Sequence, residues 1–395
     1  MGKIIHELKK VSGRLLFPIL ISTKKPFKES HLPLFSPASG KSEIPCPTPL
    51  MGGGAEKVLI FKDNSIGDFL LFSGILKFYI KHFGDRAYCL VNSSVEEAAK
   101  LYMDNVIVMD NRKYFASFKY RYRLLNQLKD IGFGTAINSI LNSSESRDIL
   151  YILKIHLTYL YGGVVMELKR QRRWKDIANI IPALKMFDNS GMYTKILSHE
   201  KYFMERILNV EVADKDVKPY IPLKDTLSEG IINKFSLQKG RYIVFSFSSA
   251  SLKKNYPANK FMEVIKYLNR RLNMDAVLIG HDQYDSVELS DFVIDLRGRT
   301  SLIDAFSIIK HARFFIGNET GTTHASWIMG VPTVMIYGGG HFGGFMPQYN
   351  SGHMVYKYMD CYYCNWGCKY TDIPVRCIGE ITVEDIIKVA EKVLS

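Results

Sequence analysis

The stretch that decides the fold is Phe314-Phe315-Ile316-Gly317-Asn318-Glu319-Thr320-Gly321-Thr322-Thr323-His324, which runs on into Ala325-Ser326-Trp327. It begins with apolar residues typical of a buried strand, breaks at polar residues and a glycine, and then has threonines that can cap a helix. The sequence therefore predicts a strand, a tight turn and a helix start. N–H groups at a helix start lack intrahelical partners and carry partial positive charge, so this turn predicts an anion site, most often for phosphate.

The residues that follow place this turn in a sheet. Gly330 ends the predicted helix, and Val331–Tyr337 has the composition of the next strand. The turn then lies at the carboxyl end of a strand in an α/β sheet, where such sheets bind ligands. Read alone, the pattern also fits a capped helix with no ligand, because strand–turn–helix junctions rich in Thr and Gly are common.

Length and charge limit the possibilities further. A chain of 395 residues is expected to form two domains, and its net charge of +13 indicates an anionic partner such as nucleic acid, a membrane surface or a phosphorylated substrate. We find no secretory signal and no run of about 18 uncharged apolar residues, so no transmembrane helix is expected. The six cysteines are expected to be reduced thiols.

Residues 1–54 have the composition of a basic tail and linker. Lysines and arginines surround the apolar piece Leu15–Ile21, and a Pro/Ser/Gly-rich stretch ends at Gly52-Gly53-Gly54. The first half fits either a segment that lies on an anionic membrane surface or a poorly ordered tail.

Two successive α/β sets follow the tail. The first has strand-like runs at Lys57–Lys62, Tyr88–Val91, Val106–Met109 and Thr135–Ile140, a helix that carries Phe69 to Phe83 after the loop Asp63–Asp68, and helical segments near 95–103 and 115–130. The second starts at Tyr242–Ser246 and continues with helices at Lys260–Leu272 and Ser301–His311, and a last helix near 382–394. This alternation predicts two Rossmann-like doubly wound domains, at 55–225 and 226–395.

Basic residues cluster twice in the first of these domains. The clusters lie at 112–123 and 169–175, beside Tyr120, Tyr122 and Trp174. Solvated helix faces are the ordinary explanation, and an anionic acceptor is the alternative.

Two charged residues stand where chemistry is expected. Asp68 opens the first helix, where it can act as an N-cap or as a carboxylate that takes a proton from a substrate hydroxyl. Lys254 follows a serine-rich loop that includes Ser246 and Ser248, a composition that suits a diphosphate but also fits an exposed loop.

Together these motifs resemble glycosyltransferase family 9, the bacterial heptosyltransferase-like group. The resemblance covers roughly residues 56–395. It rests on Ile66-Gly67-Asp68 before an apolar helix, and on Lys254-Asn255-Tyr256-Pro257, close to the family's Lys-x-Trp-Pro. Its most specific part is Gly317-Asn318-Glu319-Thr320-Gly321-x-x-His324 with Gly330-x-Pro332, a glycine-rich turn and Pro347.

The resemblance implies a GT-B architecture, with two Rossmann-like domains that face each other across a cleft. The C-terminal domain would hold a nucleotide-diphosphate sugar, typically ADP-heptose, and the N-terminal domain an anionic glycolipid acceptor, typically the lipopolysaccharide inner core. Transfer would invert the anomeric carbon without metal or cofactor, in the cytoplasm or at the cytoplasmic face of the inner membrane. Nucleic acid is not an implied partner.

Carried over by position, the resemblance also implies site roles. Asp68 would be the general base and Lys254 the partner of the diphosphate, with Ser246 and Ser248 nearby. The remaining donor-binding residues would be Glu319, Thr320, Gly321, Thr322 and His324.

Two departures bear on the substrate. Glu319 stands where the family usually has Asp, so the sugar need not be heptose, and Tyr256 replaces a Trp. The alternatives are a UDP- or GDP-sugar donor on the same fold, or a catalytically silent binding protein. The sequence has no recognised nucleic-acid-binding motif, which argues against a nucleic-acid-binding protein. Neither first strand is followed by the glycine pattern that a nicotinamide-dependent oxidoreductase requires.

Two further motifs are expected to be incidental. Gly338–Gly343 fits G-x-G-x-x-G, but no helix follows it, so we interpret it as a flexible loop at the cleft. The spacing of four cysteines is compatible with a structural zinc ion or iron–sulfur cluster; they are Cys361, Cys364, Cys368 and Cys377. No catalytic metal is expected.

Overall fold

The computed structural model describes residues 56–140, 143–155, 157–161, 178–181, 194–280, 289–345, 352–370 and 372–394. The predicted tail and linker at 1–54, the basic cluster at 169–175 and Pro347 lie outside these ranges.

The first unit is built on a six-stranded parallel sheet with the order β3-β2-β1-β4-β5-β6. Its strands are β1 (Lys57–Lys62), β2 (Ala87–Asn92), β3 (Val106–Met109), β4 (Phe133–Asn138), β5 (Leu157–Tyr161) and β6 (Ala178–Ile181). β1 is buried from Val58 to its end, because helices cover both faces of a parallel sheet and leave no strand face for water.

The second unit repeats this order in a second six-stranded parallel sheet, β12-β11-β10-β7-β8-β9. Its strands are β7 (Tyr242–Ser246), β8 (Asp275–Ile279), β9 (Val293–Asp295), β10 (Phe314–Asn318), β11 (Thr333–Ile336) and β12 (Gly352–Val355). Both sheets thus have the doubly wound topology in which the strand order reverses next to the first strand. The predicted fold class is confirmed.

Helices connect the strands of both units. Those of the first half are α1 (Ile66–Phe83), α2 (Glu96–Ala99), α3 (Asn111–Ala116), α4 (Phe118–Ile131), α5 (Ser144–Leu153) and α6 (Ile196–Leu208). Those of the second half are α7 (Asp225–Lys234), α8 (Ala258–Leu272), α9 (Leu302–Lys310), α10 (Gly321–Ile328), α11 (Arg376–Gly379) and α12 (Val383–Leu394). Within the described ranges, no helix is long and apolar enough to cross a membrane.

The helix α1 lies between the two units. It is apolar on nearly all sides, which is typical of a helix buried on every face. Phe69 and Phe72 belong to one hydrophobic cluster with Phe306 and Ala325 of the second unit. Burying each such large apolar side chain contributes about 1.5–3 kcal/mol, so the contact between the units is a core rather than a loose surface.

The chain passes from one unit to the other between α6 and α7. The turn Asp214–Val217 packs on α1, whereas α7 is attached to α9 through an ion pair of Asp225 with Lys310 and a contact of Ser228 with His311. The Asp225 Oδ1 to Lys310 Nζ distance is 2.7 Å. The domain boundary at 225/226 stays a prediction.

Several elements differ from the sequence-based predictions. β4 begins at Phe133 and ends at Asn138, two residues earlier than predicted, and the long helix predicted at 115–130 is divided at Ser117. Ser117 divides it because its hydroxyl caps α4 by accepting from the N–H of Tyr120. The strands β5, β6 and β12 and the helices α5, α6, α7 and α11 were not predicted.

Gly74 marks a tight contact that can be tested. A Cβ at this position in α1 would lie 2.0 Å from the carbonyl oxygen of Val217, so Gly74→Ala must displace the turn. We expect a loss of about 1–3 kcal/mol in the free energy of unfolding and a lower Tm. Gly230→Ala in α7 is the matched control, because a Cβ there meets nothing within 4 Å and should add about 0.5–1 kcal/mol. Equal melting temperatures for the two variants would contradict this packing.

Candidate active site

The first turns of α1 and α10 meet across the two units. A Cβ on Gly67 would lie 2.9 Å from Cδ2 of His324, and a Cβ on Gly321 would lie 2.7 Å from the side chain of Ile66. Only glycine lets the two backbones come this close. The contact places Asp68, the next residue along α1, beside the loop that the sequence predicts to hold phosphate.

The prediction of Asp68 as the N-cap is wrong: Ser65 is the N-cap of α1, and Asp68 is the third helical residue, whose side chain completes a capping box. Its Oδ2 accepts from the hydroxyl of Ser65 at 2.5 Å and from the backbone N–H of Ser65 at 3.3 Å. Among the described residues, Oδ1 has no hydrogen-bond donor. The cap therefore fixes the carboxylate through one oxygen and leaves the other oxygen available to a substrate.

Glu319 joins the predicted donor residues into one charged group. Its Oε2 lies 2.5 Å from Nζ of Lys254, and its Oε1 lies 3.3 Å from Nε2 of His324. Burial raises the pKa of Glu319, but His324 and the positive charge of Lys254 outweigh burial and lower the pKa to about 2. Glu319 is therefore a weak base near neutral pH and poorly suited to accept a substrate proton.

Lys254 also contacts the cysteine-containing segment near the end of the chain. Its Nζ lies 4.7 Å from the ring centroid of Trp366, within cation–π range. The neighbouring Lys253 donates to the carbonyl oxygen of Trp366 at 2.8 Å. Trp366 thus forms one wall around the lysine that is predicted to bind phosphate.

Hydroxyl groups line the strand ends beside this lysine. Ser246 ends β7 and accepts from the hydroxyl of Thr322 at 3.0 Å, and Thr320 contacts Thr322 at the same distance. Ser248 is half-buried next to Gly280, where a Cβ would lie 2.8 Å from the serine Oγ. The predicted donor residues therefore form two groups, Lys254–Glu319–His324 and Ser246–Thr322–Thr320, whereas Ser248 lies next to the end of β8.

The carboxyl edge of the first sheet carries a polar cluster that the sequence reading missed. Lys62 and Glu200 form a buried ion pair, and the hydroxyl of Ser139 donates to Glu200 at 3.0 Å. Asp63 accepts from the hydroxyls of Ser143 at 2.6 Å and Ser146 at 3.1 Å. Burial raises the pKa of Asp63 in spite of these hydrogen bonds.

Some polar atoms of this edge are buried without a partner among the described residues. They include Asn64 Oδ1, Asn111 Oδ1, Asn138 Nδ2 and Glu200 Oε2. An unpaired buried polar atom costs about 1–3 kcal/mol, so a cluster of them favours a bound polar ligand or water. The sequence signal that could have revealed most of this cluster is the occurrence of polar residues directly after buried strands, such as Asp63 and Asn64 after β1. Glu200 gave no such signal, because it lies within an amphipathic helix.

The glycine-rich turn after β11 has a packing role. A Cβ on Gly339 would lie 2.1 Å from the ring of Tyr362, and one on Gly340 would lie 2.4 Å from the ring of Trp366. The interpretation as a flexible loop at the cleft did not foresee this packing against aromatic rings. In the structure, the glycines let the aromatic residues of the cysteine segment lie against the turn.

The four cysteines of this segment line one small cavity, together with Trp366 and Tyr362. They are Cys361, Cys364, Cys368 and Cys377. None of them forms a disulfide. Burial raises the pKa of Cys361, Cys368 and Cys377, unlike the lowered pKa of reactive thiols. Within the described ranges, no three His, Cys, Asp or Glu side chains stand in a geometry that would hold a metal ion.

Comparison with known proteins agrees with this geometry. Residues 191–364 match the family model described as Glycosyltransferase family 9 (heptosyltransferase). The chain is 23% identical over 358 residues to Lipooligosaccharide heptosyltransferase 2 of Campylobacter jejuni subsp. jejuni serotype O:2, covering 86% of this chain and 98% of that protein.

Solved structures share the architecture. E. coli ADP-heptose lps heptosyltransferase II matches with a TM-score of 0.62 at 15% identity, covering 86% of this chain and 98% of that chain. E. coli heptosyltransferase WaaC with ADP-2-deoxy-2-fluoro heptose matches with a TM-score of 0.60 at 13% identity, covering 85% of this chain and 99% of that chain. The predicted GT-B fold is confirmed. Residues 191–364 therefore match the glycosyltransferase family 9 domain, and most of the chain is similar to heptosyltransferases, so the resemblance found in the sequence and the prediction of a glycosyltransferase are confirmed.

Proposed function

We propose that the protein transfers heptose, with inversion, from ADP-heptose to an anionic lipopolysaccharide-core acceptor. The observation that carries this proposal is the contact of α1 with α10, which sets Asp68 beside the Lys254–Glu319–His324 group. The relatives named as heptosyltransferases support the donor and the acceptor class.

The donor diphosphate would lie between Lys254 and the first turn of α10. The N–H groups at the start of that helix have no intrahelical carbonyl to bond, and they add to the positive charge of Lys254. These groups stabilise the negative charge that grows on the leaving ADP in the transition state. Glu319 holds Lys254 in place and must share it with the phosphates.

The acceptor would enter along the carboxyl edge of the first sheet. The unpaired atoms of Asn64, Asn111 and Asn138 are available to saccharide hydroxyls. Asp68 Oδ1 takes the proton from the attacking hydroxyl, whose oxygen bonds to the anomeric carbon while the carbon–phosphate oxygen bond breaks. The bonding electrons leave with ADP, and attack from the opposite face inverts the anomeric carbon.

The same arrangement supports transfer without a metal ion. Lys254 and the helix start supply the positive charge that a metal supplies elsewhere. The one Asp-x-Asp sequence of the chain is Asp214-Lys215-Asp216, and it lies in a 3-10 turn where Asp214 pairs with Lys201 at 2.6 Å. We place the reaction in the cytoplasm at the inner membrane, where a lipid-linked acceptor is accessible.

A different sugar nucleotide is the second candidate. Glu319 replaces the Asp usual in the family, and both of its carboxylate oxygens contact protein groups rather than an open space. A UDP- or GDP-sugar would leave the roles of Asp68 and Lys254 unchanged. A catalytically silent binding protein is disfavoured because the base and the diphosphate partner lie together.

Asp68→Asn should lower the rate of transfer by about 10²–10⁴-fold while donor affinity stays near the wild-type value. The amide keeps an oxygen for the Ser65 cap but cannot take the proton. The measurement is ADP release with ADP-heptose and a core acceptor, together with donor binding by calorimetry. Ser65→Ala is the control, since it removes one cap hydrogen bond and keeps the carboxylate. Full turnover by Asp68→Asn would remove this residue from the mechanism.

Lys254→Ala should weaken donor binding by about tenfold or more, because a hydrogen bond to a charged group contributes about 1.5–3 kcal/mol. Thermal shift with ADP, UDP, GDP, CMP and NAD measures this, because a ligand that binds the native state raises its Tm. We expect the wild type to respond to ADP, Lys254→Ala to respond less, and the exposed Lys266→Ala to match the wild type. A response to UDP or GDP alone would replace the donor. No response to any nucleotide would contradict the proposal.

Removal of divalent metal should leave transfer unchanged. We expect equal rates before and after EDTA treatment, with metal content measured in the same samples. Metal that stays bound at the four thiols through EDTA would indicate a structural site there. A loss of activity that Mg²⁺ restores would contradict metal-independent transfer.

A further inference from the structure

Two phenylalanines are exposed at the junction of α3 and α4. Phe115 is 47% exposed and Phe118 is 56% exposed, on either side of the capping residue Ser117. The ring of Phe118 stacks on Tyr122, with centroids 6.2 Å apart. The opposite side of α4 is buried through Arg121, Leu124, Leu125 and Leu128. Phe118 is therefore held outward by a helix that is fixed to the core, and Phe115 lies near the end of α3, which is fixed to the core through the buried Tyr114.

Basic side chains surround these rings. We define the α3–α4 face as Arg112, Lys113, Phe115, Phe118, Lys119, Tyr122 and Arg123. Its four basic residues are all exposed. Lys113 pairs with Asp110 at 2.9 Å, whereas Arg112, Lys119 and Arg123 have no ion pair within the part of the chain that the structure describes. The face thus combines apolar rings with an excess of positive charge.

A second exposed apolar area provides a comparison. Tyr356, Tyr358 and Ile373 are at least as exposed as Phe115, and they lie in the cysteine-containing half of the second unit. There two of the cations are paired, Lys369 with Asp360 and Arg376 with Asp372, and Lys357 between the two tyrosines is one exposed cation without an ion pair among the described residues. The α3–α4 face, with three unpaired cations against one, is the better match for an anionic surface.

We propose that the α3–α4 face docks the protein on an anionic phospholipid bilayer. Aromatic rings partition into the boundary between headgroups and acyl chains, and lysines and arginines bind the anionic headgroups. Each basic residue near such a surface strengthens binding about fivefold, so three unpaired cations and two rings together give stable but reversible attachment.

The position of this face relates docking to the cleft. α3 follows β3 at the carboxyl edge of the first sheet, and Nδ2 of Asn111 donates to the carbonyl oxygen of Asp63 at 3.1 Å. A protein docked in this way holds the edge with the unpaired Asn and Glu atoms next to the bilayer. This last step rests on the proposed function, because only a lipid-linked acceptor makes that orientation useful.

The test is co-sedimentation of the full chain with phosphatidylcholine vesicles that contain or lack phosphatidylglycerol. We expect binding only to the anionic vesicles, weaker at high salt because screening shortens the range of the charges. Phe115→Ser with Phe118→Ser, and separately Lys119→Glu with Arg123→Glu, should reduce the partition coefficient, the charge variant by about 25-fold or more.

Matched controls separate this face from general effects. Tyr356→Ser with Tyr358→Ser removes equally exposed rings, and Arg270→Glu with Arg271→Glu makes the same charge change on exposed residues of α8. Both controls should bind vesicles like the wild type, and an unchanged Tm for all variants shows that the fold is intact.

Three results would overturn the proposal. These are absence of wild-type binding to anionic vesicles, wild-type binding by both face variants, or equal losses in the face and control variants. The second result would assign membrane binding to another part of the chain, such as residues 1–54. Preferential binding to duplex DNA in competition with the vesicles would likewise count against it. The assay contains no sugar nucleotide or acceptor, so its outcome is independent of whether the transfer reaction is assigned correctly.

Discussion

The close approach of α1 to α10 is the constraint on which the site depends. Two helix starts, one from each unit, meet with glycine on both sides, and a single methyl group on Gly67 would contact the ring of His324. Asp68 is the residue after Gly67, so this contact places its carboxylate near the positive N-terminal end of α10. A general base and a leaving-group site must act on the same few atoms of substrate, and reaction rates fall steeply with misplacement of about 1 Å. The shared hydrophobic cluster around Phe69 and Phe306 supplies the rigidity that this placement needs.

The charges at the donor side are balanced before any substrate is bound. Glu319 neutralises Lys254, and the low pKa of Glu319 shows that the carboxylate is stabilised in its ionised form. A lysine held in this way stays ordered without an anion, at the cost of a weaker attraction for phosphate. The start of α10 contributes positive potential that Glu319 does not remove, because backbone N–H groups are fixed by the helix itself. The positive charge of Lys254 therefore depends on its pairing with Glu319, whereas the partial charge at the start of α10 is fixed by the backbone.

The elements predicted correctly from the sequence are those in which the local residue pattern and the tertiary packing favour the same secondary structure. Phe314–Ile316, the turn and the helix start at Gly321 were predicted closely, because an apolar run, a glycine and a threonine at the N-cap position are signals that lie within a few residues, although Thr320 makes no side-chain cap hydrogen bond. Seven elements of the middle and the end of the chain were missed, namely β5, β6, β12, α5, α6, α7 and α11. The strand β5, Leu157-Thr158-Tyr159-Leu160-Tyr161, is buried almost throughout, and such a short run cannot be told from a helix segment by periodicity. The pairing of Glu200 with Lys62 spans 138 residues, and no local pattern can indicate a contact of that range.

Lys254, which we propose to bind the donor diphosphate, shows how far such long-range contacts determine the site. Lys254 was predicted from a polar loop after a strand, which is a local signal. Its environment, however, is completed by Trp366, more than a hundred residues later, which in turn packs against Gly338 and Gly340. Any side chain at these glycines would push the indole away and leave Lys254 without that wall. The glycine-rich turn therefore affects the proposed phosphate site indirectly, because it allows the C-terminal segment to reach Lys254.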